Sequence, residues 1–418
     1  LKLNEEQVVS ELFQLQCEQC GRLFGNGPLV LCEDCFAPLE VAYDLQSLRE
    51  SVSREQIESR GRDIWRYAEF LPVNDGFRSS LPVGFTPLLR AERLGQALGS
   101  HDLWLKDDAA CFPTLSFKDR VVAVALAQAR AFGFEVVACA STGNLGNAVA
   151  AQAARLALQA WVFLPADLEM AKVLGSAVYG AHLIRVDGNY DQVNRLCAEI
   201  ADSHPWGFVN VNLRPYYAEG SKTVGFEIAE QLGWRLPDNV VVPMAGGAQI
   251  TKIGKAFSEL VATGLVEPHP VRLFGAQAEG CSPISRAVSG RSGEITPQRP
   301  DTVCRSLAIG NPADGYRALA EIRSSGGWAA SASDPEIVAG MRTLAAAEGI
   351  FGETAGGVTV AVARKLISEG RILPSQTTVL CITGNGLKTL DPLEAEFPLG
   401  PALTPRLELF EEQLAGLN

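Results

Sequence analysis

The chain has 418 residues, 47% hydrophobic and 20% charged, which suits two or three folded units and excludes an extended disordered class. A formal net charge of −12 argues against nucleic acid or an anionic membrane surface as the main partner. A small anionic ligand stays compatible, because a local site can be positive on an acidic protein.

In chain order, residues 1–45 form the first expected unit, a small module holding Cys17-Glu18-Gln19-Cys20 and Cys32-Glu33-Asp34-Cys35. No apolar run reaches membrane length and no charged-then-apolar leader opens the sequence. The first residue is Leu1 rather than methionine, as in a numbering that begins after a removed segment. Four thiolates from two short knuckles satisfy the tetrahedral preference of zinc, so Cys17, Cys20, Cys32 and Cys35 are the expected ligands of a structural ion. Such a site leaves no open position for substrate. Metal would supply much of the folding energy of so small a module. A metal-free relic or a redox pair are the rival readings. The other six cysteines lie scattered in apolar stretches, which suits a reducing cytoplasm better than a disulfide framework.

Residues 46–75 read as a connecting helix and an irregular arm. From about residue 102 short β-branched runs alternate with helical ones. Strands are expected at 136–140, 160–164, 182–186, 208–212, 240–243, 271–276 and 378–383. Helices are expected at 148–157, 190–201, 223–232, 250–262 and 358–369. This rhythm predicts α/β architecture, with parallel sheet covered by helices on both faces. Ligands in such folds bind at the carboxyl ends of strands. The tail after Pro405 reads as one short amphipathic helix. The histidines His101, His182, His204 and His269 show no ligand spacing.

Four features have to be weighed together. Lys118, in Ser116-Phe117-Lys118-Asp119-Arg120, heads an apolar helical run and is either a solvated surface lysine or a nucleophilic amine. Ser141-Thr142-Gly143-Asn144-Leu145-Gly146-Asn147 joins a strand to a helix and reads as an anion site or an ordinary N-cap. Ala245-Gly246-Gly247-Ala248-Gln249 is a second strand-to-helix loop that suits a phosphate cradle, without Walker or Rossmann glycine spacing. Thr383-Gly384-Asn385-Gly386-Leu387-Lys388 follows an apolar strand and offers a hydroxyl with room for a flat ring. Each loop alone is as well explained by a plain turn. An amine, a phosphate cradle, an amide and a neutral hydroxyl together describe a pyridoxal phosphate site.

Ser116 to Arg120, Ser141 to Asn144, Glu219-Gly220-Ser221-Lys222-Thr223, Glu353-Thr354-Ala355-Gly356-Gly357 and Thr383 to Lys388 resemble in the same order the motifs of the threonine synthases of the fold type II pyridoxal phosphate family. The likeness runs from the cysteine module to about residue 390. It implies two doubly wound α/β domains of the tryptophan synthase beta-like architecture beside a zinc-ribbon-like module. The implied division is a large cofactor-binding domain at 46–111 plus 211–400, a smaller domain at 112–210 carrying the cofactor-linked lysine, and a C-terminal helix at 401–418. It also implies that Lys118 bonds the cofactor and then acts as base, and that Asn144 binds its ring oxygen. Ala245, Gly246, Gly247, Ala248 and Gln249 would hold its phosphate, and Thr383 would face its pyridine nitrogen. Ser141 and Thr142 would hold the substrate carboxylate, with Arg214 and Lys222 as candidates for the substrate phosphate. The implied reaction converts O-phospho-L-homoserine and water to L-threonine and phosphate, in a cytoplasmic homodimer. Rivals are a serine or threonine dehydratase, a cysteate synthase, and a catalytically silent ligand-binding relative. The departures from the family pattern are Phe112, the absence of a hydroxyl from Ala245 to Ala248, and the loop Asp167 to Lys172.

Overall fold

The structure, a computed structural model, describes residues 13–141, 143–166, 168–290, 293–394, 397 and 402–415. The N-terminal module is a three-stranded antiparallel sheet of β1 (Phe13–Cys17), β2 (Leu23–Phe24) and β3 (Leu39–Tyr43), in the order β2-β1-β3. Strand β1 alternates inward and outward residues, as a half-buried strand must.

Two further sheets carry the alternating region. The larger joins β4 (Leu88–Arg90), β5 (Leu103–Asp107), β10 (Asn239–Pro243), β11 (Arg272–Ala278), β12 (Ala329–Ala332) and β13 (Thr378–Ile382), in the order β12-β11-β10-β13-β5-β4. Every pairing in it is parallel except that of the edge strand β4. The smaller is parallel throughout and orders β6 (Val136–Ala140), β7 (Gln159–Pro165), β8 (His182–Val186) and β9 (Gly207–Phe208) as β8-β7-β6-β9. The run Val240-Val241-Val242 shows why such strands read as continuously apolar. Val240 and Val242 pack into a core with Ile250 and Ile253, while Val241 faces a second core with Val358 and Val362. Both faces of the sheet are covered, so both sets of side chains are apolar.

The helix Lys118–Ala131 leaves the large sheet for the small one and is buried from Asp119 to Ala129. Most of its residues there are Ala and Val, small enough to pack closely on every side. Among the described residues no helix is long and apolar enough to cross a membrane. The tail forms a helix at Leu407–Ala415.

One expected strand is largely replaced by a turn. Of the segment 208–212 only Phe208 pairs with β6, in the two-residue strand Gly207–Phe208. The side-chain oxygen of Asn212 accepts the Phe208 N–H at 2.7 Å, and the Leu213 N–H returns to the Phe208 carbonyl at 3.1 Å. Asparagine side chains that mimic backbone groups end the ladder here. The strands β4, β5 and β12 lie outside the expected set: β4 is three residues long, β12 is alanine-rich, and β5 ends in the charged pair Lys106-Asp107.

Candidate active site

The three loops expected to matter leave the carboxyl ends of β6, β10 and β13. They line one cavity of about 190 Å³ between the two parallel sheets. Lys118, Ser141, Asn144, Ala245 to Gln249, Arg214 and Thr383 all line it. Thr142 lies outside the described residues.

Lys118 is held from several sides. The turn before it is joined to the third loop, where the Phe117 N–H donates to the Thr383 carbonyl at 2.9 Å and the Asn385 N–H to that of Leu115 at 3.0 Å. Leu115 takes a left-handed φ of 59°, a conformation that a leucine keeps only when its surroundings enforce it. The Asp119 carboxylate accepts the Thr114 N–H at 2.9 Å and hydroxyl at 2.8 Å. Burial pushes Asp119 up to about 7. Arg120, fully buried, ties the same helix to the large sheet through Asp108 and Glu227. The Lys118 ammonium, half-buried, lies 3.1 Å from the Tyr217 hydroxyl.

The asparagine loop is built around Ser141 and Asn144. The Ser141 hydroxyl accepts the N–H groups of Gly143 and Gly146 at 2.9 and 2.7 Å, so it shapes the turn. Asn144 opens the helix Asn144–Arg155 and donates to both Glu353 oxygens at 2.9 and 3.0 Å. Its side-chain oxygen is buried without a partner. Glu353 in turn donates its N–H to the Gly384 carbonyl at 2.8 Å. A side chain at position 384 would run into the Glu353 carboxylate, which explains the glycine there.

The second loop carries Gly247 at φ +96° and opens directly into the helix Ala248–Ala262. The first N–H groups of a helix have no partners within it and present partial positive charge, the arrangement that binds phosphate. A Cβ at Gly246 would meet open space, and the Gln249 side-chain nitrogen is buried without a partner. The loop therefore presents backbone amides, rather than hydroxyls, to the cavity. The Lys118 amine, the glycine-rich start of the helix Ala248–Ala262, the Asn144 amide and the neutral hydroxyl of Thr383 share one cavity. These residues fit pyridoxal phosphate.

The structure separates the two candidate cations. Arg214 lines the cavity, with its side chain 36% exposed and paired to Asp314 at 2.6 Å. Lys222 does not. Its ammonium is fully buried between Glu219 at 2.7 Å and Glu259 at 2.8 Å, and lies 3.8 Å from the centre of the Tyr43 ring. Burial draws this ammonium down, against the pull of the two carboxylates. Its place is in a buried ion-pair network outside the cavity lining, the ion-pairing alternative to a substrate phosphate contact. Phe112 is 47% exposed and lies outside the cavity lining.

Tyr217 and Glu353 are site residues whose roles the sequence did not assign, although both fall beside or within motifs. The signal available was position only. The motif does not say which of Tyr216 and Tyr217 faces the lysine.

In the module, the sulfurs of Cys17, Cys20, Cys32 and Cys35 all lie within 4.8 Å of one another, with Cys17–Cys35 at 3.4 Å and Cys20–Cys32 at 3.7 Å. A tetrahedral ion with zinc–sulfur bonds of about 2.3 Å needs sulfurs about 3.8 Å apart. The Cys20 N–H helps draw the Cys17 thiol down to about 6. The donor set fits a four-thiolate metal site. All ten cysteines are free thiols.

A family model described as pyridoxal-phosphate dependent enzyme matches residues 79–384. The threonine synthase of Methanocaldococcus jannaschii is 38% identical over 379 residues, covering 90% of this chain and 93% of that protein. That of Halalkalibacterium halodurans is 34% identical over 350 residues, 82% of this chain and 94% of its own. Among solved structures, diaminopropionate ammonia lyase from Escherichia coli aligns with a TM-score of 0.64 at 21% identity, over 82% of this chain and 91% of that one. That last likeness is one of fold.

Proposed function

Because the chain belongs to the threonine synthase family of pyridoxal-phosphate-dependent enzymes, we propose that it converts O-phospho-L-homoserine and water to L-threonine and phosphate. The observation that carries this reading is the single cavity uniting Lys118, Asn144, the 245–249 loop, Thr383 and Arg214.

When bound, the cofactor supplies the electron sink that makes protons on an amino acid's α- and β-carbons labile. The protein's residues do the rest. Lys118 bonds the cofactor at rest and, once released by substrate, its Nζ carries protons at the substrate's α-carbon. The Tyr217 hydroxyl, 3.1 Å from Nζ, orients that amine between transfers. Asn144, whose amide N–H groups meet Glu353, would hold the cofactor's ring oxygen. The amides from Ala245 to Gln249 take the cofactor phosphate, and Thr383 faces the ring nitrogen with a neutral hydroxyl. Ser141 and Thr142 border the substrate carboxylate. Arg214 meets the substrate phosphate by charge-assisted hydrogen bonds.

The domain division at 46–111 plus 211–400 and at 112–210 belongs to this reading, with the cavity between the two bodies. So do a structural zinc ion on the four module cysteines, a homodimer, and a cytoplasmic setting consistent with ten cysteines that form no disulfide.

The test is to load purified protein with pyridoxal phosphate and supply O-phospho-L-homoserine, then assay phosphate and threonine. Stoichiometric release of both is expected. In Lys118→Ala, activity falls at least about a thousandfold and the visible absorbance of the lysine-linked cofactor disappears. Keto acid formed from threonine or serine, without phosphate release from phosphohomoserine, would instead establish a dehydratase.

A further inference from the structure

The cysteine module sits far from the reaction in sequence, yet its contacts converge on one short helix of the pocket wall, Arg214–Glu219. One face of that helix looks into the cavity through Arg214, Tyr217 and Ala218. The other face is held by the module together with the Phe132 ring, edge-on to Tyr216, and the lysines around Glu219. The hydroxyl of Tyr216, itself fully buried, accepts the Gly27 N–H at 3.1 Å. It also lies 2.7 Å from the Gly27 carbonyl and 2.8 Å from the Asn26 side-chain oxygen, either of which takes its single proton. Asn26 and Gly27 lie between the two cysteine knuckles. At the other end of the helix, the Tyr43 hydroxyl of β3 donates to Glu219 at 2.8 Å. A third contact reaches Arg214 indirectly. Glu18, inside the first knuckle, pairs with Arg317 at 2.6 Å, Arg317 with Asp314 at 3.1 Å, and Asp314 with Arg214 at 2.6 Å. The Asp314 N–H also donates to the Gly246 carbonyl in the second loop at 3.0 Å.

We infer that the four-cysteine module is a positioning element of the active site, and that Tyr216 and Tyr43 are positioning residues that set Arg214 and Tyr217 through the helix they share. The physical reason is the helix's length. Six residues make fewer than two turns, too few to hold an orientation by their own hydrogen bonds. Its rotation about its axis is therefore fixed by side chains. A small rotation carries Arg214 and the Tyr217 hydroxyl away from the substrate and from Lys118 together. Closing the knuckles on their four sulfurs fixes the segment that holds Asn26 and Gly27, so the state of the thiols is transmitted to the pocket wall.

Tyr216→Phe and Tyr43→Phe each remove one hydroxyl that is in contact with neither Lys118 nor the cavity. Losing one such hydrogen bond corresponds to about a three- to tenfold change in an equilibrium. Tyr216→Phe is therefore expected to raise the KM for O-phospho-L-homoserine about three- to tenfold through Arg214, and to lower kcat by up to a similar factor through Tyr217. It is also expected to speed loss of the lysine-linked cofactor absorbance on dialysis. If that variant does not fold, Tyr43→Phe decides, with a change in the same direction. A lower melting temperature with both KM and cofactor release unchanged would overturn the inference, because a purely structural module predicts that pattern. The KM readout rests on the proposed reaction, whereas cofactor release does not. If the wild type releases no phosphate, the dialysis measurement alone still decides the role of the module.

Discussion

Arg120 is the strongest test of how the lysine is held. It is fully buried two residues beyond Lys118 and faces two carboxylates, Asp108 and Glu227. Its guanidinium also contacts the hydroxyls of Thr86 at 2.9 Å and Thr223 at 3.0 Å. Arg120→Met keeps much of the volume and removes every one of these donors. Glu227 would retain Lys106 at 2.6 Å and the N–H groups of Phe85 and Thr86. Asp108 would keep only the Thr86 hydroxyl at 2.7 Å among its close donors. The loss falls on one poorly compensated buried carboxylate, so a destabilisation of about 3–5 kcal/mol is expected. The pH dependence has a defined sign. Burial pushes Glu227 up, but Arg120 and Lys106 outweigh it and bring the carboxyl down from 4.5 to about 2. A folded value below the unfolded one contributes stability that is complete above pH 4.5 and lost as pH falls towards 2. Without Arg120 the folded value rises, so the variant loses less on acidification and the gap from wild type narrows below pH 4.5. Urea unfolding at pH 7 and pH 3.5 measures both quantities. A loss under about 1 kcal/mol at pH 7, or an equal loss at both pH values, would refute the reasoning.

Three other changes probe the site. Gly247→Ala places a Cβ 2.9 Å from that of Ala318 at a φ of +96°. It should weaken cofactor retention at least about tenfold, read as loss of visible absorbance on dialysis, and undiminished retention would count against the cradle. Arg214→Ala should raise the KM for phosphohomoserine about ten- to a hundredfold, since a charge-assisted contact to phosphate is lost. Lys222→Met should leave that KM unchanged yet lower unfolding stability by about 3–5 kcal/mol, because Glu219 and Glu259 lose the ammonium between them. A raised KM without destabilisation would return Lys222 to the substrate.

Much of the architecture is legible in the residues themselves. Strands buried on both faces must be apolar throughout, so β6, β10 and β13 stand out from their flanking helices, and the loops that follow them are identified as the place for ligand. The order of motifs along the chain likewise points to the cofactor, because an amine, a phosphate cradle and a ring-sized gap impose residue types that sequence records directly. The segment 208–212 misleads, because its apolar alternation competes with two asparagines: the Asn212 side chain satisfies local backbone groups, and that of Asn210 takes the place of a strand on the Ala140 backbone of β6. What the tertiary structure alone decides is which of two similar residues faces the reaction. Tyr216 and Tyr217 are adjacent, and Arg214 and Lys222 are equally cationic. The rotation of a short helix between the module and the cavity sends Tyr217 to Lys118 and Tyr216 to the cysteine loop. Lys222 is buried because Glu219 and Glu259 compensate its lost hydration, and Arg214 stays at the cavity because its partner Asp314 sits at the edge. Residue type fixes the chemistry a side chain can perform, but its direction depends on packing and desolvation among segments hundreds of residues apart.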